Sequence, residues 1–133
     1  MSAFIDTNII IRHLTGDPPH LAARATRFLH DADELLLPDL ILAEVVYVLE
    51  SFYEVPRERV AEIARSILAF DAITVVDRDL LLRAIELYEV DRLDFADAYL
   101  VASAEVTGVG AVASFDRAIG RIPTIQRVEP PRV

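Results

Sequence analysis

Four carboxylates stand at places where a carboxylate is costly. Asp6 follows the apolar run Ala3–Phe4–Ile5 and leads into Thr7–Asn8, and Glu44 is the only charge in the apolar run 40–49. Asp97 interrupts an apolar helical face, and Asp116 closes the apolar segment 111–115. An ionised carboxylate beside a core is unfavourable unless something compensates it. Four such placements imply one shared partner, and the simplest is a divalent ion, which takes oxygen ligands. The chemistry this points to is metal-assisted catalysis.

Each acid also has a local reading. Asp6 and Asp116 can serve as N-caps of the segments that follow them. Asp94 and Asp97, three apart near a helix start, can both complement the positive end of a helix dipole. That suits Asp94 better than Asp97, whose stripe continues inward through Leu100, Val101 and Ala104. Glu44 is surrounded at helical spacing by Leu40, Ile41, Val45 and Val48, so the pattern places it on a buried face unless the helix turns it outward. Asp77 and Asp79 read as caps. Asp31, Asp33 and Glu34 read as a solvated charge run.

The elements that would position these acids alternate between strand and helix. Residues 3–5 form a short buried strand, and residues 8–14 a helix ending near Gly16–Asp17–Pro18–Pro19. A second helix spans 21–30 and a second strand 35–37, stopped by Pro38. Asp39 looks like the N-cap of a helix reaching about Phe52. Pro56 opens a helix over 57–69, with Val60, Ile63, Ala64 and Ile67 on one face. Residues 73–76, rich in β-branched side chains, predict a third strand. Helices follow over 79–90 and about 94–107, broken by Gly108 and Gly110. Residues 111–114 predict a fourth strand, a short helix begins near Asp116, and 125–128 an edge strand.

Such alternation implies a mostly parallel sheet covered by helices on both faces, an α/β fold. In such sheets the working site lies beyond the carboxyl ends of the strands. Asp6 and Asp116 both follow strands and fall at that edge.

Composition narrows the classes. A chain of 133 residues, 53% apolar, fits one domain, residues 1–133, with one core and no run long enough to cross a bilayer. There is no cysteine, which excludes thiolate metal sites and disulfides and fits a cytoplasmic protein. The N-terminus shows no export signal. His13, His20 and His30 share no zinc-like spacing and read as surface or helix-flank residues. All thirteen basic residues are arginine, and the net charge is −9. Phosphate binding normally leaves a basic footprint, so any basic surface here must be local or assembled from more than one chain.

In order along the chain, Asp6–Thr7–Asn8, Glu44, Asp94–Phe95–Ala96–Asp97–Ala98 and Ser114–Phe115–Asp116 resemble the PIN-domain family. The similarity is closest to the VapC-type toxins of toxin–antitoxin pairs, and it covers essentially the whole chain. The resemblance implies a three-layer α/β/α fold and a metal-dependent endoribonuclease. It also implies that Asp6, Glu44, Asp97 and Asp116 are the catalytic, metal-holding quartet and Asp94 an auxiliary acid. Thr7, Asn8 and Ser114 match polar supporting positions. Further implied are a homodimer, an RNA substrate and a VapB-like antitoxin. Arg12, Arg92 and Arg117 are the candidate substrate-binding arginines, and the apolar faces bearing Tyr47, Phe52 and Tyr53 a candidate contact surface.

With Mg²⁺, or Mn²⁺ in its place, such a site activates water for in-line attack. Products with a 5′-phosphate and a 3′-hydroxyl are then expected. Two other phosphate chemistries fail on particular residues. A haloacid-dehalogenase-type phosphatase needs a second Asp where this chain has Asn8, and both it and a receiver domain need a lysine. A non-catalytic PIN-like module whose acids hold a structural ion remains the alternative.

Overall fold

A computed structural model describes residues 1–133, which divide into two compact units, Met1–Val76 and Asp77–Val133. The first contains β1 (Ser2–Phe4), α1 (Thr7–Thr15), α2 (Pro19–Asp31), β2 (Glu34–Leu36), α3 (Asp39–Ser51), α4 (Arg57–Leu68) and β3 (Ile73–Thr74). The second contains α5 (Arg78–Glu89), α6 (Phe95–Thr107), β4 (Ala111–Ala113), a 3₁₀ turn (Ile119–Arg121) and β5 (Gln126–Val128). No helix is long and apolar enough to cross a membrane.

In the first unit the strands pair in the order β1-β2-β3, both pairs parallel, with Ser2 opposite Glu34 and Leu36 opposite both Phe4 and Thr74. Parallel neighbours need long crossovers, and here each crossover is a pair of helices. The central strand is the most enclosed: Leu35 and the following Leu37 are buried. On its polar side Glu34 accepts from Ser2 Oγ (2.6 Å) and Thr74 Oγ1 (3.4 Å), one carboxylate spanning all three strands. Helix α1 stops where Gly16 adopts φ 70°, a conformation glycine enters without Cβ strain. Its His13 bonds Thr26 of α2 through Nδ1 (2.8 Å) and meets the edge of Phe70.

In the second unit α5 packs along α6, and β4 pairs with β5, again parallel. Arg83 of α5 grips the Glu105 carboxylate of α6 with two bonds, 2.7 and 2.9 Å, and Glu86 and Thr124 complete the cluster. These bonds raise the Arg83 guanidinium above its ordinary range. Burial opposes the shift, and the attraction of Glu105 and Glu86 adds to it. The edge of Tyr88 against Phe95 fills the space between the two helices.

Helices α3 and α5 end alike. After α3, Glu54 takes φ 52° and Val55 N–H bonds Leu49 O (2.9 Å); after α5, Arg92 takes φ 57° and Leu93 N–H bonds Leu87 O (3.3 Å). The left-handed residue turns the chain back so that the next N–H satisfies a helix-end carbonyl.

Several boundaries differ from the sequence expectation. Pro38, not Asp39, holds the cap position of α3: the Pro38 carbonyl accepts from Ile41 and Leu42, and Asp39 lies in the first turn. Strand β3 stops at Thr74, where its ladder with Leu36 ends, leaving Val76 exposed. Asp77 is the cap of α5, accepting from Leu80 N (3.0 Å), while Asp79 sits in the first turn. The short helix expected near Asp116 is the 3₁₀ turn that starts at Ile119, and the Asp116 carboxylate closes the tight turn before it onto Ala118 N–H (2.9 Å).

Candidate functional site

The end of β1 delivers Asp6 with extended backbone (φ −92°, ψ 155°), and its Oδ1 accepts from Thr7 N–H at 2.7 Å. It is therefore the N-cap of α1, and one carboxylate oxygen is used in that bond. The side chain itself is exposed. Thr7 is buried, and its Oγ1 has no hydrogen-bond partner. A buried hydroxyl in that state carries a penalty that a bound water would remove. Asn8 is exposed at the start of the helix.

Glu44 does not sit on a buried face. Helix α3 buries Leu42, Val45, Val46 and Leu49, which turns Leu40, Glu44 and Tyr47 to solvent. The helix has more apolar residues than its buried face can take, so apolar neighbours in sequence did not mean burial at position 44.

The second unit brings three of the predicted acids into mutual influence. Asp94 occupies the cap position of α6 without a side-chain capping bond, and its carbonyl accepts from Ala98 N–H at 2.8 Å. Asp97 lies one turn on, half-buried, with Asp116 within hydrogen-bonding reach. Its carboxyl is pushed above the ordinary range, first by burial, then by the charge of Asp116, a hydrogen bond with Asp116 and the charge of Asp94. Ser114 supports this end of β4: its Oγ accepts from Asp116 N–H at 2.9 Å.

The arginines are distributed over both units. Arg12 reaches the Asp17 carbonyl (3.4 Å) and, with Asn8, Ile9, Leu21, Arg24 and Phe28, lines a groove of about 450 Å³ between α1 and α2. Arg92 and Arg117 belong to the second unit, both exposed. A further arginine, Arg127, bonds the Ser114 carbonyl at 3.0 Å. No sequence pattern marks it, because its partner is a main-chain atom.

Within neither unit do three or more acidic or histidine side chains converge tightly enough to cage an ion by themselves. The donor set nonetheless suits a hard divalent ion. Mg²⁺ keeps several waters and is commonly held by one or two carboxylates with substrate phosphate supplying more. The Asp97–Asp116 pair, with Asp94 acting on it electrostatically, is such a donor set. The Asp97 carboxyl is the one whose proton affinity is raised, by its burial first and by the neighbouring negative charges second.

The sequence profile of the PIN domain family matches residues 3–125, and the chain belongs to that family. Its parallel α/β architecture fits the three-layer fold that the resemblance implies. Among individual proteins, the chain is similar to the VapC ribonuclease of Aquifex aeolicus (strain VF5). The two are 27% identical over 116 residues, covering 85% of this chain and 86% of that protein.

Proposed function

We propose that this chain is a divalent-metal-dependent endoribonuclease acting in the cytoplasm as the toxin of a type II toxin–antitoxin pair. The observation that carries the reading is the half-buried Asp97, whose carboxyl is drawn above its ordinary proton affinity by burial and by its neighbour Asp116. Family membership over nearly the whole chain and similarity to a protein named a ribonuclease support the same reading.

Asp97 and Asp116 would hold Mg²⁺ or Mn²⁺, with Asp94 adding negative field. When bound, such an ion supplies an activated water and stabilises charge developing on a phosphodiester. The chain's own contribution is to hold the pair in place: Asp97 is carried by the first turn of α6, and Asp116 is fixed by its turn onto Ala118. Asp6 and Glu44 of the first unit are proposed to serve the same reaction, and substitution of Asp6 tests its part. Arg12, Arg92 and Arg117 are the proposed phosphate contacts.

Two partners complete the reading. A second copy is proposed to dock through α3 and the residue that follows it, where Leu40, Tyr47 and Phe52 are exposed. An antitoxin is proposed to silence the site with a segment whose arginine or lysine meets the acids in place of the metal.

The test is cleavage of single-stranded RNA by the purified chain with Mg²⁺ or Mn²⁺, against an EDTA control. Products ending in 5′-phosphate and 3′-hydroxyl are expected. No cleavage under any divalent ion, together with measurable ion binding, favours a non-catalytic module holding a structural ion.

A further inference from the structure

Asp116 is exposed, sits on a short turn and carries the same charge as Asp97, on which it acts. Left to electrostatics alone, its carboxylate would swing into solvent. Something must hold the turn, and the capping bond to Ala118 fixes only its interior.

We propose that Arg127 is the positioning residue for Asp116, clamping both ends of the 114–120 turn from β5. This rests on the reading of Asp97 and Asp116 as the reactive pair. The clamp begins in the ladder: Val112 lies opposite Arg127 and Ala113 opposite Val128. At the next residue Ser114 N–H donates to Val128 O at 3.0 Å, and the Ser114 carbonyl accepts from Arg127 Nη1 at 3.0 Å. Both main-chain polar groups where β4 ends are thus bound by consecutive residues of β5. A charged donor makes the second bond stronger than an ordinary ladder bond.

The far end of the turn rests on the same side chain. A Cβ built at Gly120 would stand 3.2 Å from Arg127 Nε, 3.6 Å from Cδ and 3.7 Å from Cβ. The arginine stem therefore lies against the 3₁₀ turn, in room left by the missing side chain. Glu129 accepts from Nη1 at 3.1 Å and balances the charge. The Arg127 side chain is only 20% exposed, which limits its freedom to leave. Because its charge is already matched, Arg127 acts on Asp116 through geometry: Ser114 Oγ receives Asp116 N–H, and Asp116 Oδ1 receives Ala118 N–H.

The experiment uses the full chain and three variants, Arg127→Met, Arg127→Lys and Gly120→Ala. The backbone at Gly120 lies outside the left-handed region, so Gly120→Ala perturbs the clamp through its Cβ. Amide hydrogen exchange at Asp116 and Ala118 should speed up by about tenfold in Arg127→Met and Gly120→Ala, the worth of one charge-assisted bond. Exchange inside α5 and α6 should stay unchanged. Mn²⁺ affinity, read by calorimetry, should weaken by about tenfold, as when a residue orienting a ligand is removed. On RNA, kcat should fall while KM moves little, and Arg127→Lys should recover part of both losses. Unchanged exchange at Asp116 and Ala118 in both disrupting variants overturns the proposal. So does acceleration spread evenly over the second unit, which would make Arg127 a general strut. If the parent chain neither binds Mn²⁺ nor cuts RNA, the nuclease reading falls, while exchange still decides the role of Arg127.

Discussion

Asp97 and Asp116, on a helix and on the turn after a strand, lie within hydrogen-bonding reach of each other in the second unit. Two carboxyls that close bind a proton or a cation more readily than either would alone. The pair therefore stores electrostatic repulsion at neutral pH, and the first prediction follows from releasing it.

Asp97→Asn removes one of the two charges. RNA cleavage should be abolished, while the melting temperature in EDTA at pH 7 should equal or exceed that of the parent. The sign follows from the shift: a carboxyl raised in the folded state favours folding below the ordinary value of 3.8 and loses that contribution as pH rises through the folded value. The parent is thus penalised at neutral pH and the variant is not. A melting temperature well below the parent's would mean that Asp97 carries a structural role instead. Asp6→Asn should also abolish cleavage, and full activity in that variant would remove Asp6 from the reaction.

His13 should make the first unit acid-sensitive. It bonds Thr26, touches Phe70 and faces His30. Burial first, then the charge of His30, lowers its affinity for protons. Its contribution is complete above the ordinary value of 6.5 and is lost as pH falls from there through the lower folded value, because the unfolded chain takes up the proton more readily. Melting temperatures between pH 7.5 and 5 should fall less steeply in His13→Gln than in the parent; parallel slopes would count against the assignment.

Arg83→Met should destabilise the second unit by about 1–3 kcal/mol, since it strips a partly buried carboxylate of its two charged bonds. Glu105 keeps only Thr124 among the partners described above. Replacing both residues, Arg83→Met with Glu105→Leu, should recover much of the loss. Chemical denaturation of the single and double variants checks this, and a double variant weaker than the single would refute the account.

Tyr47→Glu tests the α3 surface. Light scattering of the parent at micromolar concentration should show a dimer, and the variant a monomer with an unchanged circular dichroism spectrum. A monomeric parent removes the proposed assembly.

The alternation of strand and helix was legible because most of the helices carry a hydrophobic period and the strands are short apolar runs between turn residues. Residues 73–74 and 111–113 were found as strands, and α5 and α6 as helices, to within a few residues. Ends were less legible. Val76 looks like strand by its β-branched side chain, but a strand lasts only as long as its partner, and β2 offers nothing beyond Leu36. Glu44 was misjudged in its environment because α3 is apolar on nearly every side, which erases the period that separates inside from outside. The acids were visible one by one; that Asp97 and Asp116 meet depends on how β4 returns beside α6, which no local pattern encodes. Arg127 left no trace in sequence because it bonds a carbonyl that every residue possesses.

The parallel ladders also set a clock. Strand β1 waits for β2, and β2 gains its second neighbour only when β3 has been made. Asp116 follows Asp6 by more than a hundred residues, roughly 5–20 s of synthesis at about 5–20 residues per second. Throughout that interval the ribosome carries a chain with its first acid synthesised and its last acid unmade. On the proposed toxin reading, the chain passes its translation disarmed, and a partner translated alongside gains those seconds to find it.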